Sequence, residues 1–405
     1  MTVIDAARIA KFFRPKSIAI VGASPQRGIN RNMVVRVAQK RGFRGPIYPV
    51  TPSHAEVEGL EAYPSVADLP EAVDVALVIT PANTVPGIIA DCGRIGIRNA
   101  IVISSGFEEV ESGKEIARRL AEAAREHDVL VLGPNCQGIW SLPEHTVLSF
   151  SQVALDLETV KEAPIALISQ SGALAGAMVS SLQTSGTGCS YVVSVGNETC
   201  LDAIDVLDWI VDQPAVRVVG MYIEGLTDAA RLLPIAARAR ARGVQIVALK
   251  AGRSDFGQQA TASHTGKMAS SHAVYAGVFE QAGVLAVDSL LDLMAALETL
   301  AYLPDPRTGP DAQSGVAVMS SSGGAGALLA DHAAETALPM AVFNDATTAR
   351  LDEVLPDFAR KANPIDLTGQ ITTVRTLFSD TCRALLADAR TEAIIIQFAS
   401  SGKRN

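Results

Sequence analysis

Cysteine is scarce in this chain and follows no pairing pattern. The five residues, Cys92, Cys136, Cys189, Cys200 and Cys382, form no C-x-x-C pair and no metal-ligand spacing. This argues against a disulfide framework, implies no metal and suits a reducing cytoplasm. Aromatic residues make up 5%, with Trp140 and Trp209 as the two tryptophans, and no aromatic stripe suggests stacking of nucleobases. Basic side chains are outnumbered 34 to 43, for a net charge of −9. The summed field therefore favours neither nucleic-acid backbones nor anionic membrane surfaces, and both kinds of partner are disfavoured. Although the mean hydropathy is +0.24, no run of about 18 residues is both apolar and uncharged, so no membrane span is expected. At the N-terminus, the apolar stretch follows Lys16 and runs into a glycine turn without a small-residue cleavage site, so it does not read as a secretion signal.

What is present is a well-packed composition, 48% apolar and 19% charged over 405 residues, enough for roughly two to three domains. Short β-branched runs alternate with longer helical patterns, which predicts an α/β fold of parallel sheets covered by helices. Strands are expected at 16–22, 46–50, 73–80, 99–104 and 129–133, then at 164–169, 190–195, 216–223, 244–250 and 284–287, and finally at 315–319 and 393–398. Three consecutive doubly wound segments follow: 1–150, 151–304 and, after the Pro/Gly/Asp-rich linker PDPRTGPDAQSG, 314–405. The third is expected to be incomplete, because a buried parallel strand needs helical cover on both faces.

Each segment opens with an apolar strand, a tight Gly/Ser turn and a helix: IAIVGAS (18–24), IALISQSGA (165–173) and VAVMSSSGGAG (316–326). Backbone N–H groups at such helix N-termini can hold phosphate, and small residues there also simply allow close packing. The first turn, Gly22 to Gly28, lacks G-x-G-x-x-G spacing, and the end of the second strand offers no carboxylate for a ribose. NAD is disfavoured, whereas coenzyme A fits a nucleotide with phosphates and a different ribose contact. Thr80-Pro81-Ala82, Ser104-Ser105-Gly106 and Gly133-Pro134-Asn135-Cys136 end the later strands on the edge where open sheets bind ligands. Among the six histidines, His264 sits in a small polar stretch read as a loop, where a neutral imidazole can act as a nucleophile. Ser171, Glu224 and His264 also occur in α/β-hydrolase order, but both flanking glycines of G-x-S-x-G are replaced, by Ser169 and Ala173. Cys136 invites a thiol-chemistry reading, and equally that of a small residue beside the crevice.

GASPQRG (22–28), LGPNCQGI (132–139), ISQSGAL (168–174) and ASHTGKMA (262–269) resemble, in order and spacing, motifs of the alpha subunit of succinyl-CoA synthetase. They are more similar still to those of the NDP-forming acyl-CoA synthetases, which include ADP-forming acetyl-CoA synthetase and feruloyl-CoA synthetase. SSGGAGALLADHAAETA (321–337) and ANPIDLTG (362–369) resemble the CoA-ligase domain of succinyl-CoA synthetase beta subunits. The resemblance implies a Rossmann-like CoA-binding domain followed by flavodoxin-like ones. It implies CoA contacts from Gly22, Ala23, Ser24, Gly28, Pro52, Thr80, Pro81, Ala82, Ser105, Asn135 and Cys136. It makes His264 the phosphorylated residue, Glu224 its orienting partner, and Ser171-Gly172-Ala173 with Gly323-Gly324-Ala325 the two helix N-termini that hold the phosphoryl group. The implied reaction joins a carboxylic acid to CoA through a phosphohistidine and an acyl phosphate, with ATP/ADP and Mg²⁺ handled by an ATP-grasp domain. No P-loop is present and that domain is missing from the 405 positions, so an ATP-grasp subunit or further C-terminal domain, and an oligomer, are the implied partners. The alternative is a non-catalytic, CoA-binding regulatory protein.

Overall fold

The computed structural model describes residues 4–265, 272–303 and 312–398. The chain divides into two compact units, Met1–Tyr302 and Leu303–Asn405. In the first unit, a five-stranded parallel sheet has the order β2-β1-β5-β6-β7. Its strands are β1 (Ile18–Val21), β2 (Ile47–Val50), β5 (Val75–Val78), β6 (Asn99–Val102) and β7 (Leu130–Leu132). A small hairpin, β3 (Glu56–Val57) and β4 (Leu60–Glu61), turns at Glu58 and Gly59, whose φ values are 50° and 79°. Every residue of β1, β5 and β6 is buried, which is why these strands read as continuous apolar runs rather than alternating ones.

The second sheet of this unit has the order β14-β13-β12-β10-β11-β8-β9. Its parallel part comprises β10 (Ile165–Ser169), β11 (Tyr191–Ser194), β12 (Val218–Ile223), β13 (Gln245–Lys250) and β14 (Leu285–Val287). The antiparallel hairpin β8 (Gly138–Ser141) and β9 (Thr146–Ser149) completes it, with β8 paired to β11. That hairpin falls within the first segment expected from sequence, yet its hydrogen bonds lie in the second sheet. An N-terminal helix, Ala6–Phe13, is an element the strand-based reading passed over; it buries Ile9, Phe12 and Phe13. Phe13 stacks on Trp209 and meets the edge of Tyr191, so the N-terminal helix and residues from the second half of the unit share one aromatic cluster.

In the second unit, β15 (Gly315–Ser320), β16 (Ile365–Asp366) and β17 (Thr391–Gln397) form a parallel sheet of order β16-β15-β17. Its core is built on Ala317, Met319, Leu351, Ile365, Leu367 and Leu385. The α/β class and the succession of three sheets agree with the sequence reading, the first and third wholly parallel and the second mixed through the antiparallel β8–β9 hairpin. No helix among the described residues is long and apolar enough to cross a membrane.

Candidate functional site

A cleft of about 740 Å³ lies in the first unit where the C-terminal ends of its two sheets come together. This size falls within the roughly 300–1,000 Å³ usual for small-molecule sites. From the first sheet it is lined by Ile79, Thr80, Pro81, Ile103, Ser104, Ser105 and the stretch Asn135–Gln137; from the second, by Gln170–Ala173, Gly196 and Asn197. Asn30, Arg31 and Phe150 complete the lining. The arrangement follows from topology: parallel strands deliver all their C-terminal loops to one edge, and two such edges facing each other make a crevice.

The lining includes the start of the helix Asn30–Lys40, whose N-cap residue Ile29 makes no side-chain cap. The N–H groups of Asn30 and Arg31 have no hydrogen-bond partner among the described residues, and together with the Arg31 side chain they suit a phosphate. From the second sheet, the helix Gly172–Ser185 begins at Ser171, also in the lining. Ser171 Oγ accepts from Leu174 N at 3.4 Å and Ser171 N donates to Ser169 Oγ at 3.1 Å. The N–H groups of Gly172 and Ala173 have no partner among the described residues. Of four groups at this helix start, two are used internally and two are presented outward.

The floor is a polar chain. Asn135, at φ 56° after the cis peptide Gly133–Pro134, donates to Asn197 Oδ1 at 3.3 Å, and Asn197 donates to Glu109 Oε2 at 2.9 Å. Glu109 Oε1 in turn accepts from Gly106 N at 2.5 Å. Burial alone would raise the Glu109 pKa, but these hydrogen bonds outweigh it and hold the carboxyl below the ordinary glutamate value. Gly196 has φ +59°, and a Cβ there would lie 2.1 Å from Pro134 O, so only glycine lets the 196–199 loop approach the 133–136 loop this closely.

Glu224 follows β12 and is half-buried. Its charge and the burial around it push the Tyr222 hydroxyl to about 12, burial being the larger cause. Burial lowers the Lys250 pKa, with Glu224 opposing that shift. The Lys250 ammonium lies 4.8 Å from the centre of the Tyr275 ring, and Tyr275 Oη accepts from Leu226 N at 2.7 Å. This cation and phenol beside Glu224 escaped the sequence reading, which looked for motifs rather than for strand ends.

Among the expected CoA contacts, Thr80, Pro81, Ser105, Asn135 and Cys136 line the cleft, while Gly22, Ala23, Ser24, Gly28, Pro52 and Ala82 do not. Gly22 nevertheless shapes it: at φ +92°, a Cβ would sit 2.6 Å from Ile79 O and 2.7 Å from Thr80 Cγ2. Ala23 and Ser24 are buried, and Pro52 is exposed. Burial pushes the Cys136 thiol up to about 12 and its Sγ faces Val102 O at 3.3 Å, a packing residue rather than a nucleophile. Position 264, read as part of a loop, lies in the last turn of the helix Asp255–Thr265. From Gln258 to Thr265 neither Gly nor Pro interrupts the sequence, and Ser254 Oγ caps the start by accepting from Gly257 N. The His264 side chain and Lys267 lie outside the described residues.

In the second unit, the helix Gly323–Glu335 repeats the pattern: Ser322 Oγ accepts from Ala325 N at 3.4 Å. Gly323 and Gly324 N–H have no partner among the described residues. Gly323 also borders a pocket of about 280 Å³ with Asp366, whose Oδ2 would lie 2.9 Å from a Cβ on Gly323. Among the described residues no group of three or more His, Cys, Asp or Glu could hold a metal.

Residues 16–141 match the model of a CoA binding domain, and residues 162–300 that of the succinyl-CoA ligase like flavodoxin domain. The chain is 34% identical over 363 residues to subunit alpha of the ADP-forming acetate–CoA ligase I of Pyrococcus furiosus, covering 88% of this chain and 76% of that subunit. It is 35% identical over 387 residues to the ADP-forming acetate–CoA ligase I of Archaeoglobus fulgidus, covering 95% of this chain and 54% of that one. The chain thus spans about half the length of that relative. A solved structure of the dinucleotide forming acetyl-coenzyme A synthetase 1 of Ca. Korarchaeum cryptofilum, in complex with phosphate and ADP, superposes with a TM-score of 0.87 at 32% identity, covering 97% of this chain and 82% of that one.

Proposed function

The chain belongs to the family of ADP-forming acyl-CoA ligases, and on that premise we propose that it is the CoA-binding and phosphohistidine part of such an enzyme. In this reading CoA enters the cleft with its diphosphate at the start of the helix Asn30–Lys40, near Arg31, and its thiol arm runs past Thr80, Ser105 and Asn135. The remaining expected contacts, Gly22, Ala23, Ser24, Gly28, Pro52 and Ala82, act by shaping the turns around that path. Cys136 packs beside it.

Phosphoryl transfer then proceeds where the second sheet lines the cleft. The phosphate carried on a ring nitrogen of His264 is held by the N–H groups of Gly172 and Ala173 after Ser171, with Glu224 fixing the second ring nitrogen. Within the second unit, Gly323, Gly324 and Ala325 open a helix of the same pattern, and the N–H groups of Gly323 and Gly324 there suit a phosphate. A carboxylate oxygen of the acid attacks phosphorus, giving an acyl phosphate and free His264. The CoA sulfur next attacks the acyl carbon and inorganic phosphate leaves, so the energy of the phosphoanhydride passes through a covalent intermediate. ATP, ADP and Mg²⁺ are met by an ATP-grasp subunit or domain, and the assembly is an oligomer in the cytoplasm.

The observation that carries this reading is one cleft joining a CoA-type sheet edge to two unpaired helix N–H groups. It is tested by incubating the chain with acetyl phosphate, and separately with acetyl-CoA and ³²P-phosphate, followed by peptide mass spectrometry. An acid-labile phosphoryl group on His264 is expected. CoA binding with no label by either route would leave the regulatory alternative in its place.

A further inference from the structure

Gln170 is 5% exposed and uses the full hydrogen-bonding capacity of its carboxamide. Its Oε1 accepts from Glu224 N at 2.5 Å and from Gly225 N at 3.0 Å. Its Nε2 donates to Glu198 Oε2 at 3.0 Å and to Gly225 O at 2.6 Å. Two lone pairs and two N–H bonds are all that this group has. Three loops therefore meet on one side chain: its own turn after β10, the 196–199 loop after β11 and the 224–226 loop after β12. Glu198 sits at φ 61° and its other oxygen accepts from Ala203 N at 2.9 Å, so this acceptor is itself anchored to the start of the next helix.

We propose that Gln170 is a positioning residue for phosphoryl transfer, setting the place of Glu224 by holding that residue's own backbone N–H and its neighbour's. The inference rests on Glu224 orienting His264 as described above. A Glu224 displaced by about 1 Å would point its carboxylate away from the imidazole it serves, and a misplacement of that size costs on the order of a hundredfold. The wiring also predicts a specific chemistry. An acidic group at 170 keeps both acceptor contacts with the N–H groups but meets the Glu198 carboxylate and loses both donated bonds. Two carboxylates at hydrogen-bond distance share a proton only at lower pH.

The experiment uses the full chain and measures the rate of His264 phosphorylation from acetyl phosphate, CoA affinity by calorimetry, and thermal stability. Gln170→Met is expected to slow labelling at least tenfold, a larger loss than any in CoA affinity, which is measured alongside because Gln170 borders the same cleft. Gln170→Glu is expected to be as slow at pH 8 and, measured as a ratio to the wild-type rate at each pH, to recover toward pH 5.5, which separates its effect from protonation of the histidine nucleophile itself. Combining it with Glu198→Gln restores a donor–acceptor pair and should recover labelling at pH 8. Labelling of Gln170→Met at the wild-type rate would overturn the proposal alone. If that variant does not fold, a ratio of Gln170→Glu to wild-type labelling that does not change with pH, or failure of the double exchange to rescue it, would do the same. Absence of label in wild type would instead overturn the phosphohistidine reading, and this proposal with it.

Discussion

The phenyl ring of Phe13 lies flat on the indole of Trp209, with ring centroids 4.2 Å apart and planes 5° from parallel. Tyr191 meets both edge-on at 5.9 Å, and Arg14 caps the indole at 5.7 Å. Residues nearly 200 positions apart are thereby fixed to one another, which ties the first helix to the second sheet. Phe13→Ala removes a fully buried ring and one side of the stack, at an expected cost of about 3–5 kcal/mol. Urea unfolding should show the midpoint fall, and a change below about 1 kcal/mol would mean that the cluster repacks without this ring.

Gly22 controls the near wall of the cleft through backbone geometry. Gly22→Ala places a methyl against Ile79 O and Thr80 Cγ2 at a φ that side chains rarely adopt. The displaced Thr80 loop should weaken CoA binding by tenfold or more, measured by calorimetry. Gly28→Ala has open space around it despite its φ of +83°, so its effect should be several times smaller.

Much of this was legible in the sequence, and the rest was hidden for physical reasons. The apolar runs at 18–21, 75–78 and 165–169 announce buried parallel strands because both faces are covered. Two of the three Gly/Ser turns, at 169–173 and 320–326, lead straight into helix starts, whereas after the first, at 22–24, the helix begins only at Asn30. The helix Ala6–Phe13 left its trace in Ile9, Phe12 and Phe13, which fall on one face of a helix. The hairpin 138–149 was beyond reach, since an antiparallel pair carries no local sign of which sheet it joins. Gln170 and Asn197 were likewise invisible as functional residues: a carboxamide's role depends on partners 28 to 88 positions away. The clue available was position alone, because Gln170 follows directly on β10 and Asn197 lies three residues beyond the end of β11, both at the ligand-binding edge.

Glu109 links the cleft floor to pH. Its carboxyl is held below the ordinary value of about 4.3 by hydrogen bonds from Asn197 and Gly106 that win against burial. A depressed folded-state value means that this contribution is full above the unfolded pKa and is lost as pH falls through the folded one. Wild type should therefore exceed Glu109→Gln in stability at pH 7, with the difference shrinking below about pH 4. Urea melts of the two proteins at pH 7, 5 and 3.5 measure it, and a difference that stays constant with pH would exclude an ionised Glu109 as its source.

Thiol reactivity should separate the cysteines by burial. Cys92, Cys136 and Cys189 are buried and each is pushed up to about 12 by desolvation, so little thiolate forms at pH 8. A disulfide-exchange reagent should leave these three unmodified in the native protein and label all five in guanidinium. Cys136→Ala should retain phosphorylation of His264. Loss of labelling, with CoA binding intact, would give this thiol a chemical role that its surroundings argue against.

Ala173 offers the sharpest test of the helix terminus, because its side chain is exposed and its N–H points outward unpaired among the described residues. Ala173→Asp places a carboxylate in the first turn, where the helix dipole stabilises it by about 0.3–1 kcal/mol, so folding should not suffer. The same carboxylate competes with a phosphoryl dianion for the N–H groups of Gly172 and position 173 and repels it. Labelling of His264 by acetyl phosphate should fall by on the order of a hundredfold, about 2.7 kcal/mol, with the melting temperature unchanged or raised. Ala173→Ser, which adds bulk without charge, should keep most of the activity. If both variants lose labelling equally, crowding rather than charge governs this position, and the phosphate is held elsewhere.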